Sequence, residues 1–200
     1  WFTQPGELYA VSVFYKTFKN PISLQYLNSS NPEFQYANVD EGTIGGIELE
    51  LRKTLGFIAP AFDKFKISTN LTFITSTMDV IEQSGLEPES RPFEGQSPVL
   101  ANLSLGYLNP DSKWDIQVSY NYTGERLAVV GLNSPDIYER GLSTLDAVIS
   151  KKLGNVSLKF AANNLLNPNY TTSSEYLGQE YLTRQYKKGT SFVLSVAYEL

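Results

Sequence analysis

The sequence predicts an all-β fold, an antiparallel transmembrane β-barrel. Three observations carry that expectation. Apolar and polar residues alternate with a period of two through most of the chain, as they do on the two faces of a strand. Connections alternate between tight turns and long polar loops, the loop asymmetry of a membrane barrel. The polar faces are built from Ser, Asn, Thr and Gly rather than from the Lys and Glu of a solvated sheet.

The alternation places eight strands, at about 6–27, 34–54, 64–80, 95–108, 113–126, 140–153, 155–170 and 181–200. The first carries Tyr9, Val11, Val13 and Tyr15 on one parity, and the second opposes Ile47, Leu49 and Leu51 to Glu48, Glu50 and Arg52. In the third, Phe65, Ile67, Leu71 and Phe73 oppose Lys66, Ser68, Asn70 and Thr72. The fourth sets Val99, Ala101, Leu103, Leu105 and Tyr107 against Asn102, Ser104 and Gly106. The fifth sets Trp114, Ile116, Val118, Tyr120 and Tyr122 against Asp115, Gln117, Ser119, Asn121 and Thr123. Leu145, Ala147, Ile149 and Leu153 mark the sixth, and Val156, Leu158, Phe160 and Ala162 the seventh. The eighth has Phe192, Leu194, Val196, Tyr198 and Leu200 on one face and Val193, Ser195, Ala197 and Glu199 on the other. No segment has a convincing helical period.

Between the strands, 109–113 and 153–155 read as tight turns and 55–63 as an intermediate connection. The stretches near 28–33, 81–94, 127–139 and 171–180 are long. Gly85, Pro88, Pro92, Gly131 and Pro135 make 81–94 and 127–139 read as irregular loops rather than strand extensions.

Composition narrows the function classes. The 200 residues contain no Cys and no His. That removes disulfides, thiolate and imidazole metal sites, and Ser-His-Asp or Cys-His catalysis. Net charge is −5 and basic runs are at most dipeptides, which argues against nucleic acid as a partner. Asp40, Glu41 and Asp79 lack metal-loop spacing and read as surface. Glu48 and Glu50 share a strand face, but nothing positions a substrate between them. The expectation is therefore no enzyme, no catalytic residues, no metal and no cofactor.

Parity does not say which face is wet. A soluble sandwich turns its apolar face inward, and a membrane barrel turns it to lipid. Three features favour lipid: the small neutral polar faces, aromatic residues near strand ends, and a chain that ends within a strand. Trp114 and Tyr122 lie eight residues apart, about 26 Å at roughly 3.3 Å per residue. Tilt brings that near the height of the apolar band between aromatic girdles. Asn-x-Ser/Thr triplets begin at Asn28, Asn70, Asn102, Asn121, Asn155 and Asn169. Glycosylation is one reading of them. Polar-in, apolar-out alternation accounts for those at 70, 102, 121 and 155.

Three segments carry a family resemblance. YANVDEGTIGGIELELRK (36–53) resembles a barrel strand of TonB-dependent outer-membrane receptors. FAANNLLNPNY (160–170) resembles the penultimate strand of that family, and YLTRQYKKGTSFVLSVAYEL (181–200) the closing strand. They occur in the expected order, and the long loops resemble receptors of the Bacteroidetes type. The final Leu200 departs from the Phe or Trp with which outer-membrane proteins commonly end.

The resemblance implies a 22-stranded barrel with a plug. Residues 1–200 would be its last eight strands, with the plug and earlier strands absent. It implies a location in the bacterial outer membrane and TonB-dependent import of a metal chelate, glycan, peptide or vitamin. The implied partners are the lipid bilayer, the TonB-ExbB-ExbD system acting through the plug, a surface lipoprotein and the barrel assembly machinery. Under it, Phe192, Leu194, Val196, Tyr198 and Leu200 face lipid. Glu48, Glu50 and Arg52 line the lumen, as a plug contact, as part of the substrate path, or simply as a solvated wall with an internal ion pair. Tyr138, Tyr176, Tyr181 and Arg184 are extracellular candidates for substrate contact, or members of the interfacial girdle. Two other readings stand beside it: a complete eight-stranded membrane barrel with a structural or adhesive role, and a secreted β-sandwich that binds carbohydrate.

Overall fold

The computed structural model describes residues 1, 4–27, 31, 33–80 and 89–199. In chain order its strands are β1 (Leu8–Lys19), β2 (Ile22–Leu27), β3 (Glu33–Asn38), β4 (Glu41–Thr54) and β5 (Phe65–Val80). There follow β6 (Glu89–Arg91), β7 (Val99–Asn109), β8 (Trp114–Thr123), β9 (Arg126–Leu132) and β10 (Ile137–Glu139). The last are β11 (Leu142–Leu153), β12 (Val156–Asn163), β13 (Tyr170–Tyr176), β14 (Gln179–Tyr186) and β15 (Ser191–Tyr198). The helical content among the described residues is two single 3-10 turns, Leu55–Phe57 and Pro60–Phe62, in the β4–β5 connection.

Eight strands form one antiparallel sheet in the order β1-β4-β5-β7-β8-β11-β12-β15, with β6 paired to β5 at one end. These correspond one for one to the eight strands read from the alternation. The sheet is open: β1 and β15 are its two ends and are not hydrogen-bonded to each other. A closed eight-stranded barrel is not formed. Connections at one end are short (110–113 and 154–155), and those at the other end run over 20–40, 81–98, 124–141 and 164–190. In outer-membrane barrels the long connections lie outside the cell.

Three of the expected single strands are divided. Asn20 sits in the left-handed region at φ 52°, and Pro21 has no N–H for the ladder, so β1 stops there. The stretch 34–54 breaks at Val39–Asp40, where Val39 bonds back to Pro21 and Asn20 bonds to Asp40. The stretch 181–200 breaks at 187–190, where Gly189 adopts φ 84°. A larger correction concerns 127–139, expected as irregular loop. Its residues form β9 and β10, with Asn133 at φ 58° in the turn between them. Residues 81–88 lie outside the described residues, as do 28–30 and 32, so the loop readings there concern residues not described.

Register aligns the apolar face into rows. Ile67, Leu105, Val118, Ala147, Ala162 and Phe192 face one another across six strands. On the opposite face Glu50, Asn70, Asn102, Asn121 and Thr144 form one row. Arg52, Ser68, Ser104, Ser119 and Asp146 form the next. Three of the Asn-x-Ser/Thr triplets therefore sit side by side on the inner wall. Their side chains bond along it: Gln117 donates to Ser104 at 3.1 Å and to Ser119 at 3.2 Å, and Asn121 donates to Thr144 at 3.4 Å.

Toward the outer end this inner face turns apolar. Phe14 and Phe18 of β1, and Ile74, Met78 and Val80 of β5, have the inner parity. Room for Phe14 comes from Gly46 opposite it, where a Cβ would lie 2.5 Å from the Phe73 carbonyl oxygen and 2.6 Å from the Phe14 ring. An aromatic ring covering a strand glycine is a known device for pinning register.

Two outcomes test these faces. With the barrel folded into lipid vesicles, Leu105→Arg and Val118→Arg should each cost about 2–4 kcal/mol if near the midplane, and Ser104→Arg and Ser119→Arg far less. Refolding titrations measure this, and equal costs on both faces would overturn the assignment. Gly46→Ala should cost about 1–3 kcal/mol by overpacking. Gly106→Ala, whose Cβ would meet nothing nearer than 3.8 Å, should be neutral or slightly stabilising, because Gly in a strand is entropically costly.

Candidate functional site

The long connections build a second sheet at the outer end. Three hairpins, β2–β3, β9–β10 and β13–β14, rise from different gaps between barrel strands. They join edge to edge in the order β14-β13-β10-β9-β2-β3. The β2–β9 join is parallel, pairing Gln25 with Val130, Tyr26 with Gly131 and Leu27 with Leu132. Gly131 is required by the turn that follows β9, where a Cβ would run into the Ser134 and Pro135 carbonyl oxygens.

Beneath this roof lies the most buried cluster among the described residues. Val39, Met78, Val80, Leu127, Val130 and Leu132 are buried, with Leu27, Phe93 and Tyr138 packed against them. Because Met78 and Val80 belong to the inner face of β5, the cluster sits on the lumen side of the mouth. The Phe93 ring also fills the space over Gly42, and it meets Phe18 edge-on at 5.4 Å.

Residues 89–98 tie the roof to the wall. Arg91 Nε donates to Asp136 Oδ2 at 2.7 Å, and Asp136 Oδ1 accepts from the Gly131 amide at 2.9 Å. Arg91 also pairs with Glu89 at 2.7 Å. Glu94 Oε1 accepts from the Ser23 hydroxyl at 2.6 Å and from the Leu24 amide at 3.0 Å. Buried Ser97 donates to the Val99 and Gly124 carbonyls. The Arg91–Asp136, Glu94–Ser23, Glu94–Leu24 and Ser97–Gly124 bonds join residues from different connections, so the roof is cross-linked rather than laid on.

On the lumen side of the β10–β13–β14 segment is a polar cleft of about 200 Å³, lined by Glu125, Tyr138, Arg140, Ser173, Glu175 and Glu180. Arg140 Nε donates to Glu180 Oε1 at 3.0 Å, and its NH1 to Glu125 Oε2 at 3.2 Å. The hydrogen bond from Arg140 holds the Glu180 carboxyl below its ordinary range, with Ser173 adding a second. Burial, with the charge of Asp136, pushes the Tyr138 hydroxyl up. A second pair, Arg126 with Glu139 at 2.6 Å, lies on the opposite, outward face.

The structure brings Tyr138, Tyr176, Tyr181 and Arg184 to this one sheet, on different faces. Tyr138 points under the roof. Ser173 lies opposite it in register, so Ser174 and its partner Tyr181 fall on the outward face. Tyr176 is 56% exposed beside the hairpin turn, and Arg184 lies over the Tyr186 ring at 4.9 Å. Glu48, Glu50 and Arg52 share the polar face of the wall, where Arg52 pairs with Glu50 at 2.7 Å. On β15, Phe192, Leu194, Val196 and Tyr198 are exposed on one face, and Phe192 stacks on Phe160 at 6.0 Å; Leu200 lies outside the described residues. Sequence reasoning missed Arg91, Glu94, Asp136 and Arg140. Their partners are distant in sequence, and nothing periodic marks them.

An antiparallel wall with one apolar face, a polar inner face and a sheet over its mouth defines a membrane barrel of receptor type. The family described as TonB dependent receptor-like, beta-barrel, matches residues 1–165. The chain belongs to that family, whose members are transporters and receptors of the bacterial outer membrane.

The chain is similar to a probable hemoglobin and hemoglobin-haptoglobin-binding protein 4 of Haemophilus influenzae. The two are 24% identical over 195 residues, covering 82% of this chain and 18% of that protein. Among solved structures it is similar to the copper transporter OprC, at 16% identity and TM-score 0.65 over 98% of this chain and 29% of that one. It is also similar to the FrpB iron transporter of Neisseria meningitidis, at 17% identity and TM-score 0.65 over 98% and 28%. The chain thus spans less than a third of each of these relatives. The sandwich reading gives way to the family assignment.

Two outcomes test the roof. Leu127→Ala, at a fully buried position, should lower the free energy of roof opening by about 2–5 kcal/mol. Amide exchange should quicken in β2, β9 and β10 while β7 and β8 keep their protection. The Arg140–Glu180 attraction is present above the ordinary glutamate value of 4.5 and is lost as pH falls below it, because the folded carboxyl titrates lower than the unfolded one. Protection factors over 173–181 should fall in that acid window, and Glu180→Gln should flatten the dependence.

Proposed function

We propose that these residues are eight neighbouring strands of a larger outer-membrane receptor that imports a nutrient with energy from the TonB system. The plug and the remaining strands belong to the rest of that receptor. The observation that carries this reading is the roofed mouth: a polar inner wall capped by a cross-linked sheet whose lumen side holds a charged cleft. Recognition concentrates where connections sit on a rigid scaffold. Here the connections are themselves rigid, so capture uses a preorganised surface and avoids much of the ordering cost of binding.

The cargo we favour is metal-bearing, a chelate or haem carrier. The support is that relatives are named for hemoglobin binding, iron transport, copper transport and a siderophore receptor. Arg140, Glu175 and Tyr138 in the cleft are the residues we assign to first contact. Their mixture of a guanidinium, a carboxylate and a phenol suits a polar ligand with a flat or ring-bearing edge.

Uptake by cells expressing the intact receptor tests this. A panel of labelled ferric siderophores, haem and copper complexes should show accumulation of one class, abolished when TonB is deleted. Arg140→Ala should weaken capture about tenfold, near 1.4 kcal/mol, at unchanged surface level, and Tyr176→Ala on the outward face should not. Uptake that persists without TonB would refute the transport reading. Unchanged capture by Arg140→Ala would move first contact away from the cleft.

A further inference from the structure

The β4–β5 connection, 55–63, reads LGFIAPAFD, with Asp63 its one charged residue. It lies at the end of the wall where the connections 110–113 and 154–155 are short and polar. Here, by contrast, Phe57 is 68% exposed, Ile58 62% and Phe62 43%. The connection is not loose. Its two 3-10 turns are closed by bonds from the Ile58 amide to the Leu55 carbonyl at 3.0 Å and from the Phe62 amide to the Ala59 carbonyl at 2.9 Å. Gly56 lets it fold back on itself, since a Cβ there would lie 3.2 Å from Asp63 Cα. Nor does an open sheet edge expose it, because β1 and β7 flank the β4–β5 pair on its two sides.

Contacts fix the side to which these tips turn. Phe62 meets Phe65 edge-on at 5.9 Å, and Phe65 meets its register partner Tyr107 at 4.9 Å. Phe65 and Tyr107 have the parity of Ile67 and Leu105, which belong to the lipid-facing row. The Phe57 ring lies 5.6 Å from Lys53 Nζ, which is also 5.9 Å from the Tyr9 ring. Lys53 pairs with Ile67 and Tyr9 with Leu51, so both share that parity. Both turns therefore extend the lipid-facing surface rather than the polar inner one. Lys53 and Lys64 bracket the apolar stretch, and each has a carboxylate partner, Glu7 at 2.7 Å and Asp111 at 3.5 Å. Long basic side chains beside apolar tips mark the level of the headgroups.

We propose that 55–63 is a membrane-seated foot, with Phe57, Ile58 and Phe62 inserted at the boundary of headgroups and acyl chains in the periplasmic leaflet. The partner is a phospholipid surface. The girdle of a barrel is made of strand residues; here a whole connection beyond the ladder joins it. Phenylalanine and isoleucine carry no polar tip, so these side chains belong below the headgroups rather than among them. Because the tips are continuous with Phe65 and Tyr107, they meet lipid before a soluble protein reaches them. The two closed turns hold them ready, which keeps the ordering cost of insertion small. The foot holds the β4–β5 hairpin at a fixed depth. It rests on the placement of the wall in the outer membrane, and not on the cargo or on transport.

The experiment places a nitroxide label in the intact receptor, reconstituted in vesicles of phosphatidylethanolamine and phosphatidylglycerol. These 200 residues contain no Cys, so Ile58→Cys gives a single reporter among them once any cysteine elsewhere in the receptor is replaced. Asp111→Cys, at an exposed position of the polar turn, is the aqueous control. Power saturation compares collisions with oxygen, which concentrates in lipid, and with a water-soluble nickel chelate. The oxygen-to-nickel ratio at Ile58 should be several-fold above that at Asp111. Adding Phe57→Ser/Phe62→Ser should bring the Ile58 ratio down toward the control, with the β-sheet circular dichroism unchanged. If either Ile58 protein does not fold, a label at Phe57→Cys, with and without Ile58→Ser/Phe62→Ser, should give the same pair of results. Two results overturn the proposal. One is a label on 55–63 as open to nickel as the control, which would leave the tips in water for a soluble partner. The other is a ratio that the serine substitutions do not lower.

Discussion

In a bilayer every backbone N–H and C=O must find a partner within the protein, because lipid offers none. That constraint sets the rest of the architecture. It requires unbroken ladders such as the twelve-residue pairing of β1 with β4 and the thirteen-residue pairing of β4 with β5. It also makes register a matter of chemistry, since a slip by one residue would exchange every lipid-facing side chain for a polar one. The inner Glu50–Thr144 and Arg52–Asp146 rows exist because the outer Ile67–Phe192 row must hold. β1 and β15 are the two ends of this sheet and are not paired to each other.

Beyond the ladder's end, water is available again and the rule relaxes. There the chain changes strategy. The inner face, polar through the wall, becomes apolar at Phe14, Phe18, Met78 and Val80. Met78 and Val80 join Leu127 and Val130 beneath the roof, Phe18 meets Phe93, and Phe14 lies over Gly46. Glycines make the change possible. Gly42 and Gly46 leave the space that Phe93 and Phe14 occupy. The result is a small hydrophobic core of globular type mounted on a membrane wall.

A core beneath connecting segments alters how those segments serve function. Flexible loops must be ordered when they bind, whereas a six-stranded sheet tied by the Arg91–Asp136 and Glu94–Ser23 bonds is ordered beforehand. Its two faces then have separate environments. One face carries the Arg140 network, and the other carries the Arg126–Glu139 pair.

Alternation of side chains determined the eight wall strands, their two faces and the end at which long connections gather. These are local properties, since a period of two is written in consecutive residues. The order of the three family-like segments determined the class of protein. The sequence was misleading at 127–139, where Gly131 and Pro135 resembled loop punctuation. In the folded chain Gly131 permits close backbone approach within a strand, and Pro135 sits in the tight turn after it. The divided strands at Asn20–Pro21 and Gly189 carried signals that a strict reading of turn residues would have caught. Only the tertiary structure decided that three hairpins become one sheet. The parallel join of Gln25–Leu27 to Val130–Leu132 spans about a hundred residues, and a strand edge carries no address for its partner. That pairing is chosen by what must be buried together, by Met78 and Leu127 coming out of water in one place, and burial is a property of the assembled chain rather than of any stretch of it.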